Sequence, residues 1–109
     1  MENSNVLYAL YDVILDRKKN PKDGSYTNYL MEKGIDKILK KVGEECTETI
    51  IAAKNGVKSE TVYELCDLMY HLSVLMEEQG ITWDDVLGEL AKRELKESNL
   101  KTFHTKGEI

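Results

Sequence analysis

The sequence contains few of the residues that interrupt helices. It has one proline and seven glycines among 109 residues. Both residue types weaken regular helices and are frequent in sheet proteins that are rich in turns. Together with 32% charged residues, this composition favours a helical protein over a β-sandwich.

Long apolar runs and excess positive charge are also missing. No apolar stretch approaches the ~20 residues that cross a bilayer, so we expect a soluble chain without a membrane partner. The N-terminal MENSNVLYAL has no basic segment before an apolar one, so we expect no signal peptide. The net charge of -5 argues against nucleic acid as the main partner, because phosphate contacts need a basic surface.

Cysteine is scarce as well. Cys46 and Cys66 are the only two, and their spacing fits neither a zinc site nor a redox motif. Both occur among apolar residues of helical patterns, so we predict that they are reduced core residues. This prediction favours a cytoplasmic location.

Helical periodicity covers most of the chain and predicts an all-α bundle of about four to five helices in one domain, residues 1–109. The first helix carries apolar residues at i, i+3, i+4, i+7 and i+8, namely Leu7, Leu10, Tyr11, Ile14 and Leu15. Pro21 and Gly24 end it. Ser25 is placed to cap a short second helix that Gly34 closes. The tail from about residue 98 loses periodicity, so we expect it to be loose or bound to a partner.

Three further helices follow. The third is predicted from about Asp36 to Lys54, with Asn55-Gly56 as its stop signal. Ser59 is placed to cap the fourth, which we expect to end near Gly80. The segment Thr82-Trp83-Asp84-Asp85 resembles a capping box and opens the fifth.

The third helix carries three carboxylates close together within KILKKVGEECTETIIAAKNG. At 100° per residue, a buried stripe is predicted for Ile38, Val42, Cys46, Thr49 and Ala53. Glu44, Glu45 and Glu48 would then border that stripe on roughly one side. Their simplest interpretation is a solvated face; the alternative is a bound cation.

The fourth helix is apolar almost all round between Thr61 and Met76, which is typical of a helix buried on most sides. Glu64 and Asp67 nevertheless share one narrow face, and His71 continues it. Acids on such a helix need a partner. If the third and fourth helices pack antiparallel with their acidic faces opposed, an oxygen cage results from Glu45, Glu48, Glu64 and Asp67.

An all-carboxylate cage selects a hard cation, with Mg²⁺ first and Mn²⁺ as a substitute. Mg²⁺ commonly bridges to phosphate oxygens, which predicts a phosphate-bearing substrate. Zinc is disfavoured because no Cys/His set is present. A ferritin-like di-iron site is disfavoured because Asp67 stands where that site places a histidine.

The pattern Glu44-Glu45-x-x-Glu48 followed by Glu64-x-x-Asp67 resembles the EExxE…ExxD signature of the MazG-type all-α nucleotide pyrophosphohydrolases. The segments SYTNYL, GIDKILKKVGEECTETIIAAKN, ELCDLMYHLSVL and ELAKRE more closely resemble the phosphoribosyl-ATP pyrophosphohydrolase family of histidine biosynthesis. The resemblance covers most of the chain from Ser25 to Arg93. It implies Mg²⁺-dependent hydrolysis of phosphoribosyl-ATP to phosphoribosyl-AMP and pyrophosphate.

The same resemblance implies roles for individual residues. Glu45, Glu48, Glu64 and Asp67 match the metal ligands of the superfamily. Glu44 matches a glutamate that orients water, acts as general base or holds a second metal. We expect the proton acceptor to be Glu44 or Glu48, with Glu44 favoured because a tight metal ligand is a poor base. The monofunctional form is expected, without the fused cyclohydrolase half of some relatives.

Several further residues are candidates for substrate binding, each with a simpler alternative. Lys41 and Lys54 flank the acids and either meet phosphate or lie in solvent. Arg93 resembles an arginine of the family and either clamps a phosphate or lies at the surface. His71 either contacts substrate or a carboxylate, or is a core histidine. Ser25, Tyr26 and Thr27 either contact substrate or only begin a helix.

The apolar residues on several faces of these helices exceed what one short chain covers, which predicts a homodimer. The predicted interface buries Ile50, Ile51, Met69 and Met76. Two other functions remain open at this point. One is a house-cleaning (deoxy)nucleoside triphosphate pyrophosphatase of the MazG type, and the other is a non-catalytic metal-binding or helical interaction module.

Overall fold

The computed structural model describes residues 6–94, and within this range every regular element is an α-helix. In chain order the helices are α1 (Val6–Lys19), α2 (Tyr26–Lys33), α3 (Ile35–Asn55), α4 (Lys58–Glu78) and α5 (Trp83–Glu94). The all-α prediction is confirmed. The predicted tail from residue 98 lies outside the described residues.

Local signals place most of the helix ends. The Ser25 side chain accepts a hydrogen bond from the backbone N–H of Asn28, so it caps α2 as predicted. Thr82 and Asp85 form a reciprocal capping box at the start of α5: the Thr82 N–H donates to the Asp85 carboxylate, and the Asp85 N–H donates to the Thr82 hydroxyl. These bonds satisfy N–H groups that the first turn of a helix leaves without partners.

The third and fourth helices form a tight antiparallel hairpin. Gly56 has a φ of 83°, a left-handed conformation that glycine adopts without a Cβ penalty, and it closes α3. Val57 is the N-cap residue of α4 and provides no side-chain cap. The prediction that Ser59 caps α4 is therefore wrong, because the short connection starts the helix before Ser59 is reached.

The hairpin packs against α1 and α2, and α4 contacts all three of the preceding helices. Ile14, Leu30, Ile38 and Val74, one residue from each of the first four helices, form a fully buried cluster. Fully burying an aliphatic side chain of this size contributes about 1.5–3 kcal/mol. A second cluster of Tyr11, Met76 and Trp83 attaches α5 to α1 and α4. The core therefore fixes the hairpin that carries the acids.

The buried stripe of α3 differs from the predicted one by about one residue. Its buried side chains are Ile38, Glu45 and Ala52, at i, i+7 and i+14. Ile38 was predicted to be buried, whereas Cys46 and Ala53 are exposed. The face of α3 that packs against the rest of this chain is therefore the one that contains Glu45.

The predicted core position of the cysteines is also wrong. Cys46 and Cys66 are both free thiols, and both are exposed in the single chain. They lie on the apolar outer faces of α3 and α4 rather than between the helices.

Candidate active site

Three carboxylates meet between the two long helices. One oxygen each from Glu45, Glu48 and Glu64 lies within 4.8 Å of the other two. Glu45 is buried, Glu64 half-buried and Glu48 exposed, so the group extends from the interior of the hairpin to its surface. The spacing of Glu45 and Glu48 puts both on the side of α3 that faces α4. The structure thus brings together three of the four acids of the predicted cage.

The electrostatics of this group are unfavourable without a cation. Oε1 of Glu45 and Oε1 of Glu64 are buried and have no hydrogen-bond partner among the described residues. Loss of hydration raises the pKa of the Glu64 carboxyl, and the neighbouring charges of Glu48, Asp67 and Glu45 raise it further. Buried polar atoms normally have partners. Three converging carboxylates, two of which carry an orphaned oxygen, fit the oxygen-only ligand set of a hard divalent cation such as Mg²⁺.

Asp67 lies outside the group of three, although it is close enough to raise the pKa of Glu64. Its backbone carbonyl accepts a hydrogen bond of 2.8 Å from Nδ1 of His71, one helical turn further along α4. The fourth predicted ligand therefore borders the site in this conformation.

Lys41 supplies positive charge at the edge of the carboxylates. Its Nζ is 3.0 Å from Glu44 and 3.8 Å from Glu45. The hydrogen bond from Lys41 lowers the pKa of Glu44, and the same bond raises the pKa of Lys41. Glu44 itself does not join the group of three. In this conformation its carboxylate is paired with a lysine and holds a proton weakly.

His71 and Tyr26 connect α2 to the acidic side of α4. A backbone carbonyl only accepts hydrogen bonds, so Nδ1 of His71 carries the proton that goes to the Asp67 carbonyl. In a neutral imidazole, Nε2 is then an acceptor, and the Tyr26 hydroxyl donates to it at 2.9 Å. His71 is buried while the Tyr26 ring remains exposed. Burial raises the pKa of the Tyr26 hydroxyl, and the nearby Lys41 charge opposes that rise.

The neighbours of Tyr26 have structural contacts of their own. Ser25 caps α2, and the hydroxyl of the buried Thr27 is hydrogen-bonded to the hydroxyl of Tyr70 on α4. The first bond fixes the first turn of α2, and the second attaches that turn to α4. They also hold the intervening Tyr26 beside His71.

Two predicted substrate-binding residues are not brought to the carboxylates. Arg93 is hydrogen-bonded to Glu89 on its own helix at 3.1 Å. Lys54 is exposed in the last turn of α3. Within residues 6–94, neither side chain forms an ion pair with the three clustered acids.

A group of aromatic and cationic side chains that the sequence reasoning missed lies where α2 meets α3. The rings of Tyr26 and Tyr29 stack with centroids 6.0 Å apart. Nζ of Lys33 and Nζ of Lys37 lie 5.8 and 5.9 Å from the centre of the Tyr29 ring, which is cation–π range. The available signal was the i, i+3, i+7 spacing of Tyr26, Tyr29 and Lys33 on one face of α2.

None of the helices in the described range is long and apolar enough to cross a bilayer.

Comparison with known proteins gives a match over nearly the whole described range. The profile of the phosphoribosyl-ATP pyrophosphohydrolase family matches residues 7–94.

Individual relatives show high identity. A phosphoribosyl-ATP pyrophosphatase of Clostridium novyi is 57% identical over 101 residues, which are 93% of this chain and 92% of the relative. One of Limosilactobacillus fermentum is 59% identical over 95 residues, 87% of this chain and 90% of the relative. A histidine biosynthesis bifunctional protein, HisIE, of Thermoanaerobacter pseudethanolicus is 62% identical over 88 residues. That match covers 81% of this chain but 41% of the longer relative.

Proposed function

The chain belongs to the phosphoribosyl-ATP pyrophosphohydrolase family, and we propose that its carboxylate site carries out the reaction for which the family is named. The enzyme is a hydrolase of histidine biosynthesis. It splits the α–β phosphoanhydride of 1-(5-phosphoribosyl)-ATP with one water, and the products are 1-(5-phosphoribosyl)-AMP and pyrophosphate.

The observation that carries this proposal is the convergence of the three glutamates with two orphaned oxygens between α3 and α4. Glu45, Glu48 and Glu64 would hold Mg²⁺, with Asp67 as the fourth ligand, and Mn²⁺ would be an acceptable substitute. When bound, the ion neutralises phosphate charge and lowers the pKa of a coordinated water. The all-oxygen donor set supports magnesium rather than zinc.

Proton transfer falls to one of two carboxylates: Glu44, which lies next to the metal ligands, or Glu48, which is itself one of them. Glu44 is paired with Lys41 in the structure, and this pairing lowers its pKa. A phosphate group that binds Lys41 would compete for the ammonium and release Glu44 to accept a proton from the attacking water. Glu48, the exposed member of the cluster, is the alternative base.

Substrate contact is proposed for Lys41, His71 and Tyr26, which border the carboxylates. Lys41 would bind phosphate oxygens as a point charge. Ser25 and Thr27 support this region through the contacts that fix α2. For Lys54 and Arg93, substrate binding remains a prediction without a supporting contact.

We further propose that the enzyme is a homodimer. An apolar stripe on the outside of α3 contains the exposed Leu39, Cys46 and Ile50, and α4 exposes Val62 and Leu65 beside it. Exposed apolar surface of this kind marks interaction sites, and a second copy of the hairpin would cover it by two-fold symmetry.

Only two of the four residues predicted for the dimer interface remain available to a partner. Ile50 and Ile51 are exposed, so they remain available to a partner. Met76 is not available, since it is buried against Tyr11 and Trp83 within the chain, and Met69 packs against the same cluster. We also propose a cytoplasmic location and a single domain for residues 1–109.

The test is pyrophosphate release from phosphoribosyl-ATP by the purified protein with Mg²⁺, with EDTA, and after Glu48→Gln. We expect turnover with Mg²⁺ and none with EDTA. Glu48→Gln should reduce turnover by a factor of about 100 or more, because it removes both a ligand and a candidate base. Asp12→Asn, an exposed carboxylate on α1, is the matched control and should retain full activity.

Parallel assays separate the alternatives. Faster release from (deoxy)nucleoside triphosphates than from phosphoribosyl-ATP would establish the house-cleaning activity instead. Unchanged activity of a correctly folded Glu48→Gln variant would refute the site. Growth of a histidine auxotroph that lacks this step, restored by the wild-type gene alone, would place the reaction in the cell.

A further inference from the structure

The aromatic and cationic residues where α2 meets α3 form one continuous surface, here called the tyrosine–lysine patch and consisting of Tyr26, Tyr29, Lys33 and Lys37. Both rings are partly exposed, 43% for Tyr26 and 39% for Tyr29. A groove of about 730 Å³ opens beside the two rings along the loop that precedes α2, a volume within the range of small-molecule sites. Lys22, Asp23 and Glu32 also line it, whereas Lys33 and Lys37 lie outside it.

The patch is linked to the acidic site through two intermediate residues, His71 on α4 and Lys41 on α3. Tyr26 donates to His71, which follows Asp67 by one turn on α4. On α3, Lys37 precedes Lys41 by one turn, and Lys41 is paired with Glu44 and Glu45. At 1.5 Å per residue, Lys37 is about 12 Å along the helix from Glu45. The patch therefore lies at one end of the acidic site. An extended ligand could contact the carboxylates with one group and the patch with the next.

The other end of the acidic site has a different character. A groove of about 340 Å³ continues from Glu48 and Glu64 toward the turn between the helices, and its lining includes Glu60 and Asn55. Its lining residues include three carboxylates and no lysine or arginine. This acidic groove can therefore accept a phosphate group only if a metal ion neutralises the phosphate charge. The patch, by contrast, has lysines that can bind an anion directly.

The substrate of the proposed reaction is equally asymmetric about the bond that breaks. Pyrophosphate lies on one side. The other side carries the adenine ring and, attached to it, a second ribose with a terminal phosphate. Only this second side combines an aromatic ring with an anion. Of the two surfaces at the ends of the acidic site, both within residues 6–94, only the patch combines exposed aromatic rings with cations. Stacking on tyrosine binds bases, and lysine binds phosphate as a point charge.

We propose that the tyrosine–lysine patch binds the phosphoribosyl-adenine end of the substrate, with Tyr26 and Tyr29 against the base and Lys33 and Lys37 on the terminal phosphate. This assignment rests on the proposed function. It makes the patch the part of the enzyme that distinguishes phosphoribosyl-ATP from ATP. It also orients the substrate, since pyrophosphate is then directed into the acidic groove near the helical turn.

The experiment measures product inhibition in the intact enzyme with Mg²⁺, using phosphoribosyl-AMP and pyrophosphate as separate inhibitors. The variants are Tyr29→Ala and the double variant Lys33→Ala/Lys37→Ala. Tyr8→Ala and Lys92→Ala are the matched controls, because both are exposed residues of the same types on α1 and α5. Tyr29→Phe keeps the ring, so it should restore the phosphoribosyl-AMP inhibition that Tyr29→Ala loses.

We expect both patch variants to weaken inhibition by phosphoribosyl-AMP roughly tenfold, from the loss of stacking or of charged hydrogen bonds. Their KM for phosphoribosyl-ATP should rise by a similar factor, while inhibition by pyrophosphate stays within about twofold. Added salt should weaken phosphoribosyl-AMP binding less in the lysine variant than in the wild type.

Two results would overturn the assignment. Wild-type inhibition by phosphoribosyl-AMP in both variants would show that the patch does not bind this end of the substrate. Weakened inhibition by pyrophosphate with phosphoribosyl-AMP unaffected would reverse the orientation. Failure of the proposed function looks different, since the wild-type enzyme would then not hydrolyse phosphoribosyl-ATP at all.

Discussion

Replacing the most buried acid of the site should stabilise the metal-free protein and destroy its response to magnesium. In Glu45→Gln the side chain keeps its size and loses its charge. Glu45 is 5% exposed, and one of its oxygens has no partner within the described chain. The variant therefore removes a like charge from a crowded place without creating a cavity.

The magnitude follows from the distances. Two carboxylate charges within 4.8 Å of each other repel by at least about 1 kcal/mol in a water-like medium and at least about 3 kcal/mol at an effective dielectric constant of 20. Because Glu48 is exposed, the lower value is the better guide for its repulsion with Glu45. The variant also loses the 3.8 Å ion pair with Lys41, which contributes about 0–1 kcal/mol. Several like charges meet here, so the net expectation in EDTA is a stabilisation of about 1 kcal/mol, or about 4 °C in Tm.

Magnesium should reverse the order of stability. At a concentration 100 times its dissociation constant, a ligand adds about 2.7 kcal/mol to the stability of the protein that binds it. The wild type should gain this amount, and Glu45→Gln should gain little.

The assay is urea and thermal unfolding of the wild type, Glu45→Gln and the control Asp12→Asn, each in EDTA and in Mg²⁺. A Glu45→Gln variant that is less stable than the wild type in EDTA, or that gains as much from Mg²⁺, would show that these acids do not form a cation site.

Three further results are expected. In EDTA, the contribution of Glu64 to stability should fall as the pH rises above about 4.5, because its raised pKa means that the folded protein binds its proton more tightly than the unfolded chain; in urea titrations from pH 4 to 7, the stability of the wild type relative to Glu64→Gln should therefore decrease with pH, and a constant difference would contradict it. Ile50→Glu should convert the dimer to monomer in sedimentation at micromolar concentration, while Lys92→Glu on α5 should not; a wild type that is already monomeric would refute the dimer. Ser25→Ala should cost about 1 kcal/mol of unfolding free energy through loss of the cap on Asn28, and no loss in urea unfolding would contradict it.

The helix ends were predictable from sequence wherever a local signal decides them. The caps at Ser25 and Thr82 and the stop at Gly56 need only residues within one turn, and all three were predicted correctly. Ser59 has the right chemistry for a cap but the wrong position, because the turn between α3 and α4 uses only two residues. Cap propensity alone does not reveal the length of a connection.

The orientation of α3 was harder to predict because this helix has two candidate buried lines. One runs through Cys46 and Ala53 and is the more apolar, so periodicity selected it. The chain instead turns the line through Glu45 inward, so that Cys46 and Ala53 are exposed while Ile38 remains buried. Hydrophobic pattern shows that a face is buried but does not show whether its own chain or a second one covers it.

The carboxylates of the site were predictable, whereas spacing could indicate only the α2 part of the tyrosine–lysine patch, namely Tyr26, Tyr29 and Lys33. Glu45, Glu48 and Glu64 lie at helical spacings on two helices whose antiparallel packing follows from the short turn. The patch depends on how α2 meets α3 at Gly34, which brings Lys37 of one helix to Tyr29 of the other. No spacing within a single helix encodes that crossing.

The two-residue turn at Gly56-Val57 also sets a limit on how this protein can vary. Glu48 lies eight residues before Gly56, and Glu64 lies eight residues after it. One extra residue in α4 before Glu64 would rotate Glu64 by about 100° around the helix axis and move it by about 1.5 Å along it. Glu64 would then no longer meet Glu45 and Glu48, although all the helices would remain intact. The hairpin therefore keeps the acids together only while the number of residues between Glu48 and Glu64 is fixed. A related chain with the same chemistry must keep this number, even where the residues between the two acids differ.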